Sequence, residues 1–235
     1  VAHQEYYDDE GTYYPSVTTI LNATLPKPAL VDWAWKLGKA GKDYKTVRDD
    51  AAGIGTKIHD GLEHYIAGTL DYSNVDPAVK AACISLKEVL KPLNVLEDAD
   101  KPGIRFIDGM VVHSERHFKA KLSVFGDGPF PVSGTTDLLL DTPNKQRMVI
   151  DFKTSNQIYE SSWIQLAGYD LLADINLTRE NPVKTEDVSY YIFHINKKTG
   201  VGKLYEKSYV ENLRRMFAGL VWQHYQFNTV KRLLA

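Results

Sequence analysis

Apolar residues recur at helical spacing through roughly the first hundred positions, then change to runs and alternation. Ser16 stands where a helix N-cap belongs, ahead of residues 17–23 and after a strand-like stretch at 12–14. Pro28 sits at the start of a second helix that contains Trp33 and Trp35. Ile54, Ile58, Leu62 and Tyr65 or Ile66 form one face of a third helix, over 46–67, which Gly68 stops. A fourth helix runs from near Pro77 to near Pro92 and carries Cys83 in an apolar pattern.

Strand-like segments follow at 110–118, 132–141 and 147–154, with 142–146 as a hairpin connection between the last two. The pattern then predicts a helix over 160–173, a strand over Val188–Ile195 and a long helix over Val210–Leu234. Leu213, Phe217, Leu220, His224 and Phe227 lie along one stripe of that last helix. The order is helix, three strands, helix, strand, helix. It predicts an α/β core with a mixed sheet, because hairpin-linked strands run antiparallel and the last strand needs a crossover. With no repeat and no Ser/Gly-rich linker, the chain reads as one domain over 1–235. Its parts are a mainly helical 1–110, a sheet core over 110–195 and a C-terminal helix over 208–235.

Composition narrows the class. The 235 residues are 43% hydrophobic and 25% charged, enough for one good core or two small ones. No apolar run approaches the roughly 20 residues that span a bilayer. The polar, acidic opening contains no signal peptide, so a cytoplasmic protein is expected, and Val1 in place of an initiator methionine suggests a fragment. A single cysteine excludes an intrachain disulfide framework, a Cys-rich zinc site and a Cys-ligated iron–sulfur cluster. The net charge of −2 argues against coating nucleic acid through bulk charge but leaves room for a nucleic-acid enzyme. Basic residues are concentrated locally, at Lys36, Lys39, Lys42, Lys45 and Arg48 and again in the last forty positions.

The informative stretch is VSGTTDLLLDTPNKQRMVIDFKTS. Asp137 and Asp151 lie in two otherwise apolar, hairpin-paired strands. A carboxylate buried there is costly unless compensated. Lys153 shares a strand face with Asp151 because side chains alternate. Two carboxylates and an ammonium on one wall of a sheet suit Mg²⁺ or Mn²⁺, one or two ions, and hydrolysis of a phosphodiester. A buried Asp–Lys salt bridge is the structural alternative.

This pattern resembles the PD-(D/E)XK nuclease superfamily, with Thr136 where the motif has proline and Asp151-Phe152-Lys153 as its second half. The wider chain, over 14–195, is similar to the RecB-like exonuclease branch, which includes mitochondrial, CRISPR-associated and phage nucleases. Gly55-Thr56-Lys57-Ile58-His59 followed by Glu63, Ser114-Glu115, and Gln165-Leu166-Ala167-Gly168-Tyr169 occur in that branch's order, after an opening Pro15-Ser16-Val17-Thr18-Thr19. The resemblance implies a restriction-endonuclease-like core with a central mixed sheet. It also implies catalytic roles for Asp137, Asp151, Lys153 and Glu115. Metal would be held by His59, Asp137, Asp151 and the Phe152 carbonyl, and DNA by Gln165, Tyr169 and Ser16. No iron–sulfur cluster is implied, since that subgroup's cysteines are absent.

His59 and Glu63 share a helix face, and so do Gln165 and Tyr169. A half-buried His–Glu pair, ordinary capping and packing by Gln165 and Tyr169, and an exposed strand charge at Glu115 are the structural readings of these residues. Lys36, Lys39 and Lys42, interleaved with Trp33 and Trp35, suit a single nucleic-acid strand, although tryptophans in a helix are more often core. The expected function is a metal-dependent deoxyribonuclease. It would be an exonuclease on single-stranded DNA or DNA ends in phage or replicon recombination or DNA processing. No membrane partner is expected, and any motor would be a separate recombination or replication partner protein. The rivals are a structure-specific endonuclease and a silent DNA-binding or interaction module.

Overall fold

The computed structural model describes residues 5–97, 103–177, 183–208 and 210–234. Two short strands, β1 (Tyr6–Tyr7) and β2 (Tyr13–Tyr14), form an antiparallel hairpin. Four helices follow: α1 (Val17–Thr24), α2 (Pro28–Lys39), α3 (Tyr44–Ile66) and α4 (Pro77–Leu90). Then come β3 (Val111–Val124), β4 (Asp127–Asp141), β5 (Arg147–Lys153), α5 (Glu160–Leu177), β6 (Val188–Ile195), β7 (Gly202–Lys207) and α6 (Val210–Leu234). Among the described residues, no helix is long and apolar enough to cross a membrane.

The five-stranded sheet has the order β3-β4-β5-β6-β7. Only β5 and β6 run parallel, joined by the α5 crossover; the other neighbours are antiparallel. This is the mixed α/β core expected from the sequence, with one edge strand more. Each face of the sheet has its own core. One face packs Val17, Ile20 and Leu21 of α1 with Leu166, Ala167 and Leu172 of α5 and Phe217 and Val221 of α6. The other packs Ile58 and Leu62 of α3 with Ala82, Cys83 and Leu86 of α4. β6 serves both faces, with Tyr190 and Ile192 on the first and Tyr191, Phe193 and Ile195 on the second. A strand buried on both faces reads as a continuous apolar run.

Local chemistry sets the boundaries. The Ser16 hydroxyl accepts the Thr19 N–H at 3.0 Å and caps α1. Asp43 and Asp76 cap α3 and α4 in the same way. Helix α2 departs from expectation: it has no buried residue, and Trp35 is 59% exposed, so its tryptophans are not core. Ile54 and Phe227 also prove exposed, at 46% and 53%.

The side-chain alternation of β3 and β4 reverses partway along both strands. Val112, Leu138 and Leu140 belong to the α3/α4 face, whereas Phe118, Ala120 and Val132 belong to the α5/α6 face. All six are even-numbered, and an unbroken strand would put each strand's even positions on one face. The reversal falls at Glu115 and Asp137. Glu115 has φ +47°, left-handed backbone inside a strand, flanked by the pairs Ser114↔Leu138 and Arg116↔Thr136. Such a kink re-aims side chains, and a non-glycine residue holds it only where its surroundings enforce it.

Candidate active site

The β4–β5 ladder closes with the pair Leu138↔Ile150. Continuing that register would set Asp137 opposite Asp151. Instead the Asp137 carboxylate accepts the backbone N–H of Phe152 at 2.6 Å. The strands part at this point, and the carboxylate stands in for the missing ladder acceptor. Asp151, only 2% exposed, forms an ion pair with Lys153 Nζ at 2.5 Å. Lys153 also donates to Gln165 Oε1 at 3.0 Å, and Gln165 Nε2 donates to the Tyr169 hydroxyl at 2.6 Å and to Thr18 Oγ1 at 3.3 Å. The ammonium is thus held between β5 and α5.

Helix α3 supplies the opposite wall. His59 Nδ1 lies 3.9 Å from Asp137 Oδ2, and its ring meets Phe152 edge-on. Gly55 permits this approach, since a Cβ there would sit 2.7 Å from Thr154 Oγ1 at the end of β5. A cleft of about 430 Å³ opens between the walls, lined by Gly55, His59, Asp60, Glu63, Glu115, Asp137 and Thr154.

The cleft is acidic. Burial, then the charges of Asp137, Glu63, Asp60 and Asp151, push the Glu115 carboxyl up to about 8. Burial also raises Asp151, outweighing the opposing pull of Lys153, and Asp137 adds to the rise. The Tyr169 hydroxyl is raised as well, chiefly by burial and then by the two aspartates. Among the described residues, no three His, Cys, Asp or Glu side chains are grouped so as to hold a metal ion by themselves. A cation that keeps several waters and takes one or two carboxylates suits such a site, and Mg²⁺ behaves this way. The donor set fits: hard oxygens crowded at unfavourable charge, with an imidazole beside them.

Residues 33–232 match the model of the PD-(D/E)XK nuclease superfamily. The chain belongs to that superfamily. As a PD-(D/E)XK protein it is supported as a nuclease, and the superfamily generally uses divalent metal ions and acts on DNA. Two solved structures are similar to it. One is the crystal structure of SSO0001, at 15% identity over 94% of this chain and 79% of that one, with a TM-score of 0.44. The other, from Eubacterium rectale, carries a provisional exonuclease description. It shares 14% identity over 88% of this chain and 77% of that one, with a TM-score of 0.45. No curated protein matches the chain in sequence.

The PD-(D/E)XK residues named from sequence divide into two groups. Asp137, Asp151, Lys153, Glu115, His59 and Gln165 converge as described, and Phe152 joins them through its amide. Tyr169 lies beside them but its ring is 6% exposed, packed against Gly134, which puts it out of reach of a base. Its connection to the site runs through Gln165. The Ser16 hydroxyl is engaged in capping, and Thr18 makes the contact to Gln165 instead. Lys36, Lys39 and Lys42 lie on α2 or just after it. Lys36 pairs with Asp32 at 2.7 Å, and Lys39 sits 4.5 Å over the Trp35 ring.

The sequence motifs contain Thr18 and Thr154 but assign them no role, and a buried ionic network behind the site was missed. Arg147 donates two bonds to Asp141, at 2.7 and 3.0 Å, while Asp170 takes Arg214 at 2.6 Å and the Tyr190 hydroxyl at 2.7 Å. Asp141, Arg147 and Asp170 are each 1% exposed or less. The network ties β4, β5, β6, α5 and α6 together, and so fixes the helix that carries Gln165.

Proposed function

We propose that the protein is a Mg²⁺- or Mn²⁺-dependent deoxyribonuclease that degrades single-stranded DNA or DNA ends, in phage or replicon recombination or DNA processing. The convergence of Asp137, Asp151 and Lys153 where the β4–β5 ladder opens carries this reading. Asp137, Asp151, the Phe152 carbonyl and His59 would hold the ion, which when bound supplies a water of lowered pKa and offsets phosphate charge. The remaining work falls to the chain. Phe152 N–H fixes the Asp137 carboxylate. Asp151 and Gln165 hold Lys153 from two sides, so its ammonium is aimed at the attacking water or a phosphate oxygen before substrate arrives. Glu115, held by the strand kink, faces the same cleft as Asp137.

The exonuclease mode rests on family likeness and is tested by substrate shape. Linear end-labelled single strands should be shortened in Mg²⁺ or Mn²⁺ while circular single-stranded DNA stays intact. A nicked circle would make the enzyme an endonuclease. No cleavage of either form would remove the reading.

A further inference from the structure

The acidic cleft continues past Glu115. Glu115 and Thr135 also line a second cleft of about 500 Å³, so the two clefts share a wall. The rest of the second cleft comes from the N-terminal hairpin and β3: Glu5, Tyr6, Tyr7, His117 and Lys119. Its character differs from that of the first. The Tyr6 ring lies stacked on His117, with centroids 4.0 Å apart and planes at 18°. His117 Nδ1 sits 3.2 Å from Thr135 Oγ1, so the shared wall sets the ring's orientation. Lys119, exposed, reaches the Tyr7 carbonyl at 3.4 Å, and the Tyr7 hydroxyl donates to Glu5 at 3.0 Å. The hairpin's second strand has attachments of its own: Tyr14 is buried, Ser133 Oγ donates to its carbonyl, and Ser133 N–H donates to that of Pro15. These anchors do not involve the Tyr6 ring.

We propose that this second cleft is a nucleotide subsite, in which a single nucleic-acid strand leaving the scissile phosphate stacks a base on the Tyr6–His117 pair and sets a phosphate at Lys119. Preformed aromatic stacks beside a cation suit unpaired bases, since every base has a π-face. The volume is that of an ordinary small-ligand site. The proposal rests on the nuclease reading and names where its substrate strand runs.

The test is the dissociation constant of a fluorescently labelled single-stranded oligonucleotide, measured by anisotropy in Ca²⁺, alongside melting temperatures. Tyr6→Ala should weaken binding roughly five- to a hundredfold, Tyr6→Phe should bind as the wild type does, and both should melt with it. Lys119→Ala should lower the slope of log affinity against log salt by about 0.7, the loss of one phosphate contact on a single strand. Wild-type affinity in Tyr6→Ala overturns the subsite and leaves the nuclease reading standing. Equal weakening in Tyr6→Phe, or a fall in melting temperature that accompanies the weakening, also overturns it, since Tyr6 would then be structural. If the wild type binds no oligonucleotide at all, both readings fall.

Discussion

Asp137 and Phe152 share a hydrogen bond that a regular β-ladder would not contain: a side-chain carboxylate of one strand takes the backbone N–H of the next, at 2.6 Å. The bond gives Asp137 two separable duties, holding open the end of the sheet and presenting an oxygen to the cleft.

Two substitutions separate those duties. Asp137→Asn keeps an oxygen acceptor for the Phe152 amide, so its melting temperature should stay near that of the wild type while Mn²⁺ binding is lost. Asp137→Ala leaves the amide unpaired, which should cost about 1–3 kcal/mol in addition. Thermal melting and calorimetric Mn²⁺ titration of both variants check this. Equal melting of the two would mean that the bond contributes nothing.

Lys153 is held by Asp151 and Gln165 together, at 2.5 and 3.0 Å. Lys153→Ala should lower the single-turnover cleavage rate by about 10²–10³ with little effect on metal affinity, as for loss of one preorganised electrostatic group. Gln165→Ala should produce a smaller loss in the same parameter, because it frees the ammonium without removing it. A Lys153→Ala enzyme that turns over normally once Mn²⁺ is raised would assign Lys153 to metal binding instead.

The reach of the sequence differed between fold and site for physical reasons. Val188–Ile195 and Val210–Leu234 agree with the sequence reading to the residue, the first because a doubly buried strand is an unbroken apolar run. Strand β7 was missed because it lies at the sheet edge, where Lys203, Tyr205 and Glu206 remain exposed and mimic a basic loop. The far half of β3 was missed for a similar reason, since Lys119 and Lys121 alternate with buried Ala120 and Leu122 on a strand with one solvated face. Asp137, Asp151 and Lys153 were legible because charges inside apolar strands are anomalous. Thr18, Thr154 and the Arg147 network were not, since each acquires meaning only from a partner distant in sequence.

That network should dominate stability. Asp170→Asn removes the charge facing Arg214 and Arg147 inside the core, and breaking a buried pair on one side costs about 3–5 kcal/mol. Denaturant unfolding gives the value directly. A loss of under about 1 kcal/mol would show that Asp141 and Asp174 compensate.

His224 gives the stability a pH dependence remote from the cleft. Burial, then the charge of Lys231, lowers its pKa, and Asn228 Nδ2 lies 3.0 Å from Nε2, as a donor to a neutral ring would. The unfolded chain therefore takes up a proton at about 6.5, before the folded one does. Its contribution is present above that pH and is lost as pH falls towards the lower folded value. Melting temperatures from pH 8 to pH 5 should fall less for His224→Gln than for the wild type. Parallel curves would remove His224 from the acid sensitivity.

The central claim is that Asp137, Asp151 and Lys153 form a metal-dependent phosphodiesterase centre. It is tested most directly by incubating an end-labelled linear single-stranded oligonucleotide with Mn²⁺ and either the wild type or Asp151→Asn, each confirmed folded by its melting curve. The account predicts shortened products from the wild type, none in EDTA, and none from Asp151→Asn. Undiminished cleavage by Asp151→Asn, or cleavage by the wild type in EDTA, would contradict it.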